Sequence, residues 1–319
     1  MPRLPRFRSI ALAAIVSTAS CISITEMITF HDKDDALVLN SNVAVLENPT
    51  GDNLVIIAEG RDTIVVDDED GHLPAPLSYA LDFDIKVMAP GPNRELWALD
   101  TSHNVHRLRF ASNGTLLSSD ELFAVDESED IAVASDGGSI YVIDDHQAHR
   151  YALNGLQLAS VAINRAGAFP LPPSTQRIAV DHHTGFVYTA ETDWVSYGGP
   201  WYKAVRVVRM NADLSSANAT NSVFTDSRTH LVDFEIADGT RVWERSNGGS
   251  SGLLQIENSG EIRDEQVVHH ISGMRAGSLS TAGVHTSFGP CGGSEGAYLW
   301  RSRTSLPVAM LERRTVCAD

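Results

Sequence analysis

Short runs of alternating apolar and polar residues, separated by tight-turn signals, dominate this chain. The clearest stretch is 131–163, IAVASDGGSIYVIDDHQAHRYALNGLQLASVAI. It predicts four strands, because β-branched and aromatic residues favour strands and Asp-Gly-Gly and Asn-Gly favour hairpin turns. One such meander exposes two sheet edges and cannot bury both of its faces alone. The pattern therefore predicts a sheet that packs between similar neighbours.

The first hairpin of this meander recurs along the chain. The copies span 42–59, 84–100, 130–144, 177–191, 233–244 and 283–300. They start about 40–55 residues apart, which is typical of four-stranded propeller blades. A third strand follows in each copy, and a fourth in every copy but the last. Since an open sheet edge favours aggregation, we expect 22–30 or 36–40 to supply the missing strand. The prediction is an all-β, six-bladed β-propeller whose last blade is closed by an N-terminal strand.

Two copies resemble a known class of repeats. The segments IAVASDGGSIYVIDDHQAHRYALNG (131–155) and RIAVDHHTGFVYTAE (177–191) are similar to the NHL and YVTN propeller repeats. The resemblance implies the fold far more than the function. Related propellers are mostly binding platforms, and some are enzymes.

The N-terminus carries an export signal. Three arginines in residues 1–9 precede an apolar core at 10–16 and small residues at 17–20. The sequence Thr18-Ala19-Ser20-Cys21 resembles the bacterial lipobox, which implies lipidation of Cys21, although Thr18 stands where that motif usually has Leu. The alternative is ordinary cleavage that leaves Cys21 free. We expect a signal peptide at 1–20, a lipidated tether at 21–35 and the propeller at 36–319, anchored in the periplasm or at the cell surface.

The cysteine count leaves one candidate disulfide. The chain has 3 Cys, an odd number for an exported protein. If Cys21 takes a lipid, Cys291 and Cys317 remain as a pair that an oxidising compartment permits. The alternative is two free thiols.

Net charge restricts the partners. The formal net charge is −17, which repels nucleic acid and anionic membrane surfaces and attracts a cation or a basic protein. We therefore expect no nucleic-acid partner and no membrane contact except through the lipid anchor. The chain is expected to be a monomer. The alternative interpretation of the charge is simple solubility.

Acidic residues recur at the ends of the second strands. They are Glu59, Asp100, Asp144, Glu191 and Glu244. A ring of carboxylates on one face could hold a cation or a basic ligand. The alternative is that each carboxylate caps its own turn. His106 and His149 occupy matching places in third strands, each followed by Arg, which indicates a packing or surface role.

One insertion is rich in aromatic residues. The segment 192–204 lies between the second and third strands of the fourth copy and contains Trp194, Tyr197, Trp201 and Tyr202. Aromatic rings on a loop offer rigid contact area for a sugar, a peptide or a protein. The alternative is that these rings fold back over the sheet.

Three common catalytic motifs, HExxH, CxxC and the Gly-Lys-Ser/Thr phosphate loop, are absent from the sequence. We expect a non-enzymatic cell-envelope propeller that binds a protein, peptide or glycan, with no cofactor assigned. The alternative is a metal-dependent hydrolase resembling gluconolactonase-like propellers, which hold a divalent cation. Its candidate ligands here are Glu47, Asp82, Asp126, Asp181 and Glu235. A quinone-dependent dehydrogenase is a weaker third hypothesis.

Overall fold

The fold was analysed in a computed structural model. It describes the backbone of residues 22–32, 43–48, 53–59, 61–68, 73, 77–144, 147–163, 175–181, 184–196, 201–215, 217–219, 223–224, 229–237, 240–247, 250–256, 262–266, 275–281, 296–305 and 308–317. Side chains are described over 43–48, 53–58, 61–68, 73, 77–144, 147–163, 176–181, 184–191 and 207–215.

The described residues form β-strands grouped into six sheets. The N-terminal strand is β1 (Ile22–Asp32). The first sheet contains β2 (Val43–Leu46), β3 (Leu54–Glu59), β4 (Thr63–Asp68) and β5 (Leu77–Ala80). The second contains β6 (Ile85–Gly91), β7 (Glu95–Asp100), β8 (Asn104–Phe110) and β9 (Leu116–Ala124). The third contains β10 (Asp130–Val133), β11 (Ser139–Ile143), β12 (Gln147–Ala152) and β13 (Gln157–Ala162).

The remaining sheets follow the same order. The fourth contains β14 (Thr175–Val180), β15 (Val187–Ser196), β16 (Trp201–Met210), β17 (Ala217–Ala219) and β18 (Val223–Phe224). The fifth contains β19 (Thr229–Ala237), β20 (Thr240–Asn247), β21 (Ser250–Ile256) and β22 (Ile262–Gln266). The sixth contains β23 (Arg275–Thr281), β24 (Gly296–Ser305) and β25 (Val308–Cys317), and β1 pairs with β25.

The sheets are arranged as a β-propeller. In each of the first five sheets the strands pair antiparallel in chain order with the first strand at one edge, and β18 pairs with β16 beside β17. The sixth sheet has the order β23, β24, β25 and β1, so the N-terminal strand lies at its outer edge. The first strands contact one another in sequence, β2 to β6, β10, β14, β19 and β23, and β23 contacts β2 again. The innermost strands thus follow one another around an axis. No helix capable of spanning a membrane occurs in the described part of the chain.

The closing strand comes from the N-terminus, as the sequence indicates. Of the two predicted segments, 22–30 forms part of β1, which runs antiparallel to β25 from Ile22↔Val316 to Asp32↔Val308. The other, 36–40, lies outside the described residues. The tether predicted at 21–35 overlaps this strand, so the propeller includes residues before the predicted boundary at 36. The physical reason is that the ten-residue β25 would otherwise leave its backbone groups unpaired at an edge. The predicted signal peptide lies outside the described residues.

The last hairpin differs from the prediction. The sequence pattern placed its first strand from residue 283, whereas β23 ends at Thr281. The register runs from Arg275↔Thr304 to Thr281↔Leu299, with a shift between Ala276 and Leu279. The strand RAGSLST escaped the pattern because small and polar residues replace the β-branched ones that mark the other first strands.

Apolar clusters join neighbouring sheets. One cluster combines residues of the first and second sheets, such as Leu54, Ile56 and Leu96. A second joins the second and third sheets around Trp97 and Ile140. A third joins the third and fourth sheets. The core therefore lies between the sheets, and each sheet buries both of its faces only when both neighbours are present.

Both ends of the sheets carry carboxylates. The turns between second and third strands and the connections from one sheet to the next lie at one end, which we call the acidic face. Its described carboxylates include Asp62, Asp82, Asp84, Asp126 and Asp144. The other end, the opposite face, carries the remaining turns. Acidic and basic residues mix there, among them Arg94, Arg109, Asp136, Arg150, Arg209 and Asp213.

Gly155 provides a test of the packing between sheets. It has φ +80°, and a Cβ at this position would lie 2.8 Å from Cβ of Phe123 in the second sheet. Gly155→Ala should lower the free energy of unfolding by about 3 kcal/mol, from backbone strain and overpacking together. Gly185→Ala is the matched control, because Gly185 has φ +74° and no atom within 4 Å. It should cost only about 1 kcal/mol in urea denaturation. Equal losses would contradict the role of the contact.

Candidate functional site

A cavity opens on the acidic face between the first and second sheets. Its volume is about 530 Å³. The β3–β4 turn, the β5–β6 connection and the β7–β8 turn contribute most of its wall. Five carboxylates and one imidazole line it: Asp62, Asp82, Asp84, Asp100, Glu121 and His106. The nearest ion pair is weak, because Arg61 Nη1 lies 3.9 Å from Asp84 Oδ2 and its side chain is 77% exposed.

Asp100 is the most constrained carboxylate of the cavity. Its Oδ1 accepts the backbone N–H groups of Ser102 at 2.8 Å and Asn104 at 2.7 Å. Its Oδ2 accepts hydrogen bonds from Nδ2 of Asn104 at 3.0 Å and from Nε2 of His106 at 2.9 Å. Burial opposes ionisation of Asp100, but these hydrogen bonds outweigh it and hold the pKa of the carboxyl below its ordinary value. Asp100 therefore fixes the β7–β8 turn and the imidazole together.

The third sheet repeats this unit. Asp144 Oδ1 accepts the backbone N–H of Gln147 at 2.8 Å, and Asp144 Oδ2 lies 2.8 Å from Nε2 of His149. The capping interpretation of the recurrent acids thus holds for Asp100 and Asp144. Their histidine partners were singled out by repetition, but their role was missed because it depends on pairing between strands.

The His-Arg pairs use both sides of their strand. His106 and His149 bind carboxylates, whereas the following arginines lie over aromatic rings of the second strands. Arg107 Cζ is 5.6 Å from the ring centre of Trp97, and Arg150 Cζ is 5.9 Å from that of Tyr141. Adjacent strand residues point to opposite sides, which explains the two roles.

The other three recurrent acids do not join Asp100 and Asp144 in one described cluster. Glu191 is buried within the fourth sheet, where Nε2 of Gln176 lies 3.4 Å from its Oε2. It lies inside β15 because that strand extends to Ser196. Glu59 ends β3 and Glu244 lies within β20. Their side chains lie outside the described part of the chain.

The aromatic insertion is mainly a longer hairpin. Its strands continue in register from Thr192↔Val205 to Ser196↔Trp201, and Trp194 pairs with Lys203. The prediction of a long loop over 192–204 is therefore wrong. Most of this segment is strand, because its β-branched and aromatic residues extend β15 and β16. Tyr202 lies in β16. Tyr197 and the side chains of the other aromatic residues lie outside the described residues.

The remaining predicted residues are placed only in part. Cys21 and Cys291 lie outside the described residues, and Cys317 ends β25. Among the described side chains, no group of three or more His, Cys, Asp or Glu residues is arranged to hold a metal ion. Two of the residues predicted as metal ligands have described surroundings of this kind. Asp82 lines the cavity, and Asp181 accepts a hydrogen bond from Oγ1 of Thr184 at 2.6 Å.

The comparisons with known proteins concern the fold. No protein-family model and no curated protein matches the sequence. The chain is similar to the PQQ-bound form of aldose sugar dehydrogenase from Streptomyces coelicolor, with 13% identity, a TM-score of 0.56, and coverage of 93% of this chain and 100% of that chain. The β-propeller domain of Nup133 from Vanderwaltozyma polyspora has 9% identity and a TM-score of 0.47, over 90% of this chain and 84% of that chain. At these identities no activity or ligand is transferred.

Asp100→Asn tests the capped carboxylate. The substitution should lower the free energy of unfolding at neutral pH by about 2 kcal/mol, because bonds to a buried charged group become bonds to a neutral amide. The folded-state pKa lies below the ordinary value of 3.8, so the stabilisation is complete above that value. It disappears as the pH falls through the lowered pKa.

Urea denaturation at about pH 7 and about pH 3 measures both effects. Asp84→Asn is the control from the same cavity, because its side chain is 45% exposed. It should change stability by less than about 0.5 kcal/mol. A loss for Asp100→Asn that stays constant with pH would contradict the assigned role.

Proposed function

We propose that this chain is an exported six-bladed β-propeller that binds a positively charged segment of a protein partner on its acidic face. The observation that carries the proposal is the cavity between the first and second sheets, whose wall holds five carboxylates. A concave site lined by one sign of charge concentrates field lines and attracts ligands of the opposite sign. A basic protein segment supplies that charge.

Several of the cavity carboxylates remain available to a ligand. Asp82 is exposed, and neither Asp82 nor Glu121 forms a hydrogen bond or ion pair in the described part of the chain. Asp84 has only the distant Arg61 as a counter-charge. Asp100, by contrast, is committed to its turn and to His106. The free carboxylates thus differ from the turn-capping acids elsewhere in the propeller.

Overall charge favours the same class of partner. The formal net charge of the whole chain is −17, which disfavours nucleic acid and anionic lipid and speeds association with a basic protein. The strands of the aromatic hairpin, β15 and β16, extend toward the acidic face as far as the pair Ser196 and Trp201. We propose it as a second contact area for the same partner, with Trp194, Tyr197, Trp201 and Tyr202 supplying rigid rings.

The proposal also includes export of the chain and closure of the propeller ring. The arginine-rich start, the apolar segment and the small residues before Cys21 support export, with a lipid on Cys21 as the anchor in the cell envelope. The successive contacts of the first strands and the pairing of β1 with β25 support a closed ring of six blades. The similarity of segments 131–155 and 177–191 to the NHL and YVTN repeats supports a propeller of that class.

Fluorescence anisotropy with a labelled Gly-Arg repeat peptide tests this function. We expect saturable binding to the full chain that weakens as salt rises, since exposed charges are screened. A peptide with Gln in place of every Arg should not bind. Asp82→Asn combined with Glu121→Gln should weaken binding by about tenfold, because two cavity charges are lost.

The control removes the same charge from the opposite face. Asp136→Asn with Asp213→Asn keeps side-chain oxygens that can still accept the N–H groups of Gly138 and Ser215. This variant should bind as the unchanged chain does. Lack of binding by the arginine peptide, or equal losses in the two variants, would refute a site at the cavity.

A further inference from the structure

We infer that the cavity between the first and second sheets is a binding site for a single guanidinium or primary ammonium group, with His106 Nδ1 as one of its hydrogen-bond acceptors. The inference rests on the proposed function and specifies its anchor point: an Arg or Lys side chain of the partner. It depends on the chemistry of His106, which is independent of the number of carboxylates.

His106 has one ring nitrogen that the fold does not use. The imidazole is 5% exposed and lines the cavity. Its Nε2 lies 2.9 Å from Asp100 Oδ2. The other contact of the imidazole is the stacked ring of Phe83, and no hydrogen bond engages Nδ1 among the described residues. Among the described side chains, the fully buried imidazole nitrogen without a partner is Nδ1 of His149, which no ligand in the cavity can reach. Nδ1 of His106 is not fully buried and is open to the cavity, so it can accept a hydrogen bond from a ligand there.

The tautomer of His106 follows from its neighbour. A carboxylate accepts hydrogen bonds, so in the neutral ring Nε2 carries the proton and Nδ1 presents a lone pair. Asp100 itself already accepts four hydrogen bonds and has no capacity to spare. It is therefore a positioning residue, which sets the orientation and the proton of the imidazole.

The ring of His106 is also held from the side. Phe83 stacks on it with 3.7 Å between ring centres and 10° between planes, and Phe83 lines the same cavity. Glu121 is the direct cross-strand partner of His106 between β8 and β9. One wall thus combines an apolar ring, an imidazole acceptor and a carboxylate.

These groups select a ligand by its donors. The Nδ1 lone pair and the carboxylates of Asp82, Asp84 and Glu121 are all acceptors in the neutral-imidazole state. A guanidinium or ammonium group offers several N–H donors together with a positive charge. A quaternary ammonium, which has no N–H donor and cannot be coordinated, would satisfy the charge and leave Nδ1 unpaired. The volume of about 530 Å³ is ample for one such side chain.

The third sheet supplies a matched control. His149 makes the same bond to Asp144, at 2.8 Å, but does not line the cavity. His106→Phe and His149→Phe both remove an Asp–His bond, so a purely structural role predicts similar losses of stability. Only His106→Phe should weaken binding of the Gly-Arg repeat peptide, by about tenfold, in proportion to one lost hydrogen bond to a charged donor. His149→Phe should bind normally.

The imidazole nitrogen resonances of the unsubstituted chain give a second readout. Contacts with the Phe83 ring identify the His106 signals without a variant. Ethylguanidinium chloride should shift the His106 Nδ1 resonance and leave that of His149 unchanged, whereas tetramethylammonium chloride should shift neither. Spermidine matching the peptide in affinity would identify a free polyamine as the ligand and overturn the assignment to a partner side chain.

The outcomes separate this inference from the proposed function. If the peptide binds but His106→Phe binds it as well as His149→Phe does, or the Nδ1 resonance stays unmoved, the acceptor role of His106 is refuted while the acidic face stands. If calcium chloride moves the resonance and ethylguanidinium does not, the cavity is a metal site and the inference fails. If the peptide does not bind at all, the proposed function itself fails.

Discussion

The structure depends on one constraint: a sheet with two apolar faces must be covered on both. Strands β2, β10 and β11 are buried along their whole length. The described apolar clusters lie between neighbouring sheets rather than within one. A chain of such sheets leaves two uncovered faces at its ends unless the last meets the first. Contact between β23 and β2 and the pairing of β1 with β25 meet that requirement.

Polar contacts fix how neighbouring sheets meet. Asp130 Oδ2 of the third sheet accepts the backbone N–H of Ile178 in the fourth at 2.9 Å, and the Tyr141 hydroxyl donates to the carbonyl of Ala212 at 2.6 Å. Buried groups of this kind cost stability when unpaired, so they favour one arrangement of the sheets. Between the first and second sheets, the Tyr79 hydroxyl donates to the carbonyl of Gly114 at 3.2 Å. The wall of the cavity comes from these two sheets, so their arrangement gives the cavity its shape.

Much of the fold could be predicted from sequence because its units are local. Most first hairpins combine apolar alternation with a turn signal, and these were located. The first strand of the last sheet was misplaced because RAGSLST lacks the usual strand residues. The span of the aromatic hairpin was misjudged because a strand rich in Trp and Tyr resembles an exposed binding loop in composition.

The site was less predictable because it is not local. Asp100 and His106 are separated by a turn, and the sequence marked each of them as a repeated position without joining them. Their bond requires the register of β7 and β8, in which Ala98 pairs with His106. The cavity further requires Asp62 and Asp82 from the first sheet and its connection, and no sequence spacing indicates that these meet Glu121.

The most direct test of the account compares the melting temperatures of two chains. One chain lacks both residues 1–20 and residues 21–35, and the other lacks only residues 1–20. The longer deletion removes β1, which pairs with β25 along its length. Closure of the ring by this strand predicts a melting temperature lower by about 10 °C or more, because the sixth sheet loses its edge strand. An unchanged melting temperature would show that the ring does not depend on β1, and would contradict the account.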